Sequence, residues 1–106
     1  MGTAGSTDTV RYTALTESTA AAKDAITVFE GAHDLLKFEG ITVAGNFSLQ
    51  TSSFTGGGNA SALIASTTLG NSAQDLTIDF NGDGVSDFVV SLAGTGTLTT
   101  ANFAFA

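Results

Sequence analysis

Apolar and polar positions alternate along the last third of the chain. Leu76, Ile78 and Phe80 alternate with Asp75, Thr77 and Asp79, and Phe88, Val90 and Leu92 with Asp87, Val89 and Ser91. A period of two sends successive side chains to opposite faces of a sheet, so each run reads as a strand with one face on a core. The short polar segment between them predicts an antiparallel hairpin. Earlier runs are shorter. Thr7 to Thr13 reads as a first strand, with Val10 and Tyr12 alternating against Thr9 and Arg11. Ala25 to Phe29 and Asp34 to Phe38 read as strands around a turn at Glu30-Gly31-Ala32-His33, and Ile41 to Val43 and Phe47 to Leu49 as short extended pieces punctuated by Gly40 and Gly45. Three alanines behind a Thr16 N-cap predict one or two helical turns over 16–24. Gly56-Gly57-Gly58-Asn59 interrupts any regular element. From Ala60 to Leu69 the adjacent Leu63 and Ile64 fit neither period, and the threonines and Gly70 that follow lean the segment to strand. Phe103-Ala104-Phe105 reads as a last strand. About eight short strands with turns between them predict an all-β fold, a small β-sandwich or β-roll, with one short helix near 16–24.

Composition narrows the function classes. A chain of 106 residues suits a single domain over 1–106, and 42% apolar residues suffice for one core. Charged residues are only 12%, about half the usual share, so solubility rests on Thr, Ser, Asn and Gly. The net charge is −7, with Arg11, Lys23 and Lys37 the basic side chains; a polyanion would be repelled, which argues against nucleic acid. The same acidic excess on a Gly/Thr/Ser-rich β chain suits cation binding and an extracellular setting. No apolar run approaches the ~20 residues that span a bilayer, so no membrane insertion is expected. With no cysteine, disulfides, thiolate metal sites and thiol nucleophiles are excluded. His33 is the single histidine, and H-E-x-x-H, G-x-S-x-G and Walker motifs are missing, which argues against an enzyme. The residues after Met1 lack the basic and apolar regions of a secretory signal.

The hairpin segment carries the clearest chemistry. Asp79, Asn81, Asp83 and Asp87 stand at positions 1, 3, 5 and 9 of a loop with Gly84 at position 6, the spacing of the first part of an EF-type calcium loop. Calcium takes six to eight hard oxygens, and alternate side chains of a tightly curled loop converge to supply them. Gly84 permits the sharp turn, and Val85 at position 7 would donate its backbone carbonyl. The predicted metal ligands are therefore Asp79, Asn81, Asp83, Val85 and Asp87, with Ca2+ as the ion. Asp, Asn and Gly also favour ordinary polar turns; the agreement of four oxygen positions with the glycine is what favours calcium. Position 12, a bidentate Glu in an EF-hand, is Val90. The remaining ligands are then Asp87, water, or a carboxylate from elsewhere, with Asp75 and Asp34 as candidates. Zinc is disfavoured by one His and no Cys.

The stretch Asp75 to Leu98 (DLTIDFNGDGVSDFVVSLAGTGTL) and the ending Thr99 to Ala106 (TTANFAFA) resemble the C-terminal domain of RTX proteins exported by type I secretion, best known from serralysin-type metalloproteases. Asp24 to Leu36 is similar to that family's D-x-I-x-D-F-x-x-G-x-D-x-I-D-L segment, and Gly2 to Val10 looks like a remnant of its glycine-aspartate nonapeptide. There are departures. Val28 and Lys37 replace aspartates, the glycine is displaced to Gly31, and Asn102 replaces an acidic residue near the end. The missing repeats and aspartates argue against a calcium-filled roll and against a second calcium site in the first half. The loop is also similar to the cation loop of FG-GAP propeller blades, but one loop in 106 residues cannot build a propeller. What the RTX resemblance implies is export through the type I secretion machinery by an uncleaved C-terminal signal, a secreted or cell-surface location on a bacterium, and folding after export. Two functions follow as expectations. One is a secreted calcium-binding structural protein that self-associates into a filament, surface layer or biofilm matrix, with Phe103 to Ala106 or Thr7 to Thr13 as candidate strand donors. The other is a non-catalytic secretion and folding cap of a larger RTX protein such as a protease.

Overall fold

A computed structural model describes residues 9–14, 23–31 and 33–105. Among these residues the chain forms eight strands: β1 (Thr9–Tyr12), β2 (Asp24–Glu30), β3 (Leu35–Phe38), β4 (Ser48–Gln50), β5 (Ser61–Leu63), β6 (Gln74–Asp79), β7 (Phe88–Thr95) and β8 (Phe103–Phe105). They make two sheets, one in the order β1-β3-β8 and one in the order β2-β7-β6-β5-β4. The all-β, two-layer expectation holds. The predicted helix falls largely outside the described residues; of its span, Asp24 already belongs to β2.

The hairpin is as the alternation predicts. β6 and β7 pair antiparallel with Leu76 opposite Val90 and Ile78 opposite Phe88, and all four are buried. Most of the remaining pairing is parallel: β1 with β3, β3 with β8, β2 with β7 and β4 with β5. The path β2 to β3 crosses from one sheet to the other, and β7 to β8 repeats that crossing alongside it, as successive turns of a roll do. A register shift between Ile26 and Phe29 lets β2 bend over the core. Gly94 lies opposite Phe29. A Cβ there would collide with the Phe29 carbonyl, so only glycine admits this approach.

The core lies between the sheets. Phe38 of β3 sits 5.2 Å from Phe80 and 5.3 Å from Phe88 between ring centroids, both edge-to-face, and 5.7 Å from Tyr12. Phe29, Leu36, Leu76, Ile78, Val90 and Leu92 are fully buried around these rings. Burying each such side chain contributes about 1.5–3 kcal/mol.

Three segments differ from the sequence pattern. Ile41 to Val43 forms no strand, and Ile41 and Val43 pack half-buried against the core. Between Ala60 and Leu69 the strand is confined to β5, after which Ile64 turns into the core and Thr68 makes a single bridge to Thr97. A short 3₁₀ turn over Thr100–Asn102, capped by Thr99, precedes β8.

Candidate metal site

The loop joining β6 to β7 is closed at its base by Asp87 N, which donates to Ile78 O at 2.8 Å. Within it, side-chain oxygens collect backbone N–H groups. Asp79 is fully buried; its Oδ1 accepts from Gly82 N at 2.9 Å and its Oδ2 from Gly84 N at 2.8 Å. Asp87 Oδ2 accepts from Phe80 N at 2.9 Å and from Asn81 N at 3.4 Å. Asn81 Oδ1 accepts from Asp83 N at 3.2 Å, and Asp83 Oδ1 from Val85 N at 2.9 Å, the local turns that Asn and Asp favour. Gly82 and Gly84 hold φ of 77° and 82°, a region that side chains with a Cβ avoid. These bonds curl the chain so that its acidic groups face one another.

One carboxylate oxygen from each of Asp79, Asp83 and Asp87 lies within 4.8 Å of the other two. Calcium holds its ligands at about 2.3–2.6 Å, so any two oxygens on one ion lie within about 5 Å of each other. The three carboxylates meet that limit. Like charges at this range repel, by about 1 kcal/mol per pair in water and about 4 at an effective dielectric of 20. A divalent cation converts the repulsion into cohesion. Asn81 and Val85 lie in the loop between the carboxylates; a valine side chain carries no ligand atom, so the atom expected of Val85 is its carbonyl oxygen.

The two candidate outside ligands lie elsewhere. Asp75 pairs with Lys23 Nζ at 2.8 Å on the outer part of β6. Asp34 is buried beside β3, where its Oδ2 accepts from Glu30 N at 2.8 Å. Val90 at position 12 is wholly buried in β7, so the hairpin has no place there for a carboxylate.

The sequence pattern passed over the support beneath the loop. Gly58 N donates to Gly82 O at 3.0 Å, and a Cβ on Gly82 would strike the Gly58–Asn59 backbone. Ala44 N donates to Phe80 O at 2.9 Å. The triple glycine therefore forms a tight turn seated on the loop, with Asn59 N bonded to Gly56 O at 3.1 Å. Its one signal in the sequence is the run of glycines, three successive residues at positive φ.

Compared with known proteins, residues 3–105 match the family model described as Peptidase M10 serralysin C terminal. No curated protein matches the chain.

Proposed function

Because the chain belongs to the serralysin C-terminal family, we propose that it is a calcium-stabilised, non-catalytic folding and secretion module of an RTX-type protein exported by the type I route. Domains of this family are the non-catalytic C-terminal parts of secreted RTX-type proteins and generally bind calcium. The observation that carries the proposal is the convergence of Asp79, Asp83 and Asp87 between the two central strands β6 and β7. Calcium is scarce in the cytosol and abundant outside, so the loop links stability to location. At calcium about 100 times the dissociation constant, binding adds about 2.7 kcal/mol. For a small domain of about 5–15 kcal/mol total stability that is a large share. His33 is exposed in the turn between β2 and β3, where its N–H bonds Glu30 O at 3.0 Å, and it has no place in this mechanism.

Thermal melting in calcium and in EGTA tests the proposal. The expected result is a Tm lower by roughly 10 °C or more in EGTA, as 1 kcal/mol moves a domain of this size by about 4–8 °C. Asp83→Ala should abolish most of that difference while leaving the EGTA value close to wild type, since Asp83 is exposed. Identical curves with and without chelator would sink the calcium proposal.

A second reading, self-association into a filament or surface layer, draws on β8. This strand forms one edge of the three-stranded sheet, and Phe105 at its end is 37% exposed. Open edges favour strand addition by another chain. Light scattering in calcium and in EGTA separates the two: calcium-dependent polymers favour the subunit, and a monomer in both favours the module.

A further inference from the structure

A second feature lies beside the β6–β7 loop and shares the glycine turn with it. Asn46 and Phe47 before β4, Ser48 and Gln50 in it, and Thr55 and Asn59 from the glycine turn line an open groove of about 320 Å3. Five of the six are amides or hydroxyls and the sixth is an aromatic ring. We propose that this groove binds a neutral saccharide unit.

The lining chemistry selects that class. Among the described residues no charged side chain lines the groove, so an anionic or cationic ligand would lose hydration and find no counter-charge. A side-chain amide presents a donor and an acceptor in one plane, which matches adjacent sugar hydroxyls that each donate and accept. The amides are held in position. Asn59 Oδ1 accepts from Asn46 N at 3.1 Å, which orients the Asn59 amide and leaves its Nδ2 to donate. Gln50 Nε2 donates to Ser48 Oγ at 3.0 Å, which leaves Gln50 Oε1 to accept. No buried polar side-chain atom among the described residues lacks a partner, so these remaining groups face solvent. Phe47 is fixed by Phe103 and Phe105, with ring centroids at 5.1 and 4.8 Å. The negative face of such a ring attracts the polarised C–H groups of a pyranose. The volume is at the low end of small-ligand sites, about 300–1,000 Å3, and suits one sugar unit. A peptide strand is the weaker fit, because β4 offers only three residues to pair with.

The test is NMR titration of the full chain in calcium with neutral trisaccharides (maltotriose, cellotriose, chitotriose and a galactotriose), a charged uronate trisaccharide, and an extended Thr/Val peptide. The expected result is saturable shifts at Phe47, Gln50 and Asn59 with at least one neutral sugar, at a Kd on the order of 1 mM. Gln50→Ala, which leaves the core untouched, should weaken that binding by more than about fivefold. Asn59→Asp keeps the acceptor for Asn46 N and removes the donor, and should do the same. No groove shift with any neutral sugar, or shifts with the uronate or the peptide alone, would overturn the proposal. Melting with and without EGTA reports separately on the cation loop, so either proposal can fail while the other stands.

Discussion

At the scale of single residues, Asn102 shows how one atom type can decide a position. Its Nδ2 donates to the carbonyls of Gly31 and Asp34, each at 2.8 Å, while its Oδ1 accepts from Thr99 N at 2.8 Å. It thereby ties the turn before β8 to the turn before β3, and it is 4% exposed. An aspartate could still accept from Thr99 but would set a carboxylate against two carbonyl oxygens. Asn102→Asp is therefore expected to cost about 3 kcal/mol, from two lost donors and their unpaired acceptors. A fall in Tm of more than about 10 °C would register it. An unchanged Tm would mean that water replaces the amide at no cost.

At the scale of elements, the hairpin was the most legible part of the chain. Leu76, Ile78, Phe88 and Val90 alternate cleanly because one face of β6 and β7 meets the core, and burial enforces the period. The loop between them was legible for a similar reason: its chemistry depends on local spacing, and Asp79, Asp83 and Asp87 converge through bonds inside nine residues. Long-range support left little trace. Gly82 against Gly58 is a backbone approach between two loops and Gly94 against Phe29 one between paired strands, and a glycine does not announce its partner. The parallel pairings were likewise hidden, because the paired residues of β2 and β7 lie 65 to 66 positions apart. Val90 tests the hairpin as a unit. Restoring an acid at position 12 by Val90→Glu would bury a carboxylate between Leu76 and Asp24 of the neighbouring strands. The expected outcome is loss of the folded state, a cost of more than about 4 kcal/mol, read as an unfolded spectrum in calcium. A folded variant with tighter calcium binding would show that β7 can shift its register.

At the scale of the whole molecule, the loop proposed to bind calcium sits where its effect should be global. It joins β6 to β7; β7 also pairs with β2, and Phe88 at the start of β7 packs on Phe38 of the opposite sheet. Removing calcium should therefore loosen both sheets together instead of fraying one hairpin. Amide exchange in EGTA is expected to rise in parallel at Leu36, Val90 and Leu92. Faster exchange confined to residues 80–87 would instead mark the loop as a local ornament.

The doubled crossing, β2 to β3 and then β7 to β8, has a consequence for the export proposed above. Each strand of the first crossing pairs with one of the second, so in a chain threaded through a membrane the two partners would stand on opposite sides of the barrier. Neither sheet can close until nearly the whole length has come through. Under that proposal the order of strands would act as a timing device, keeping the polypeptide slack enough to travel and letting it become rigid only on arrival.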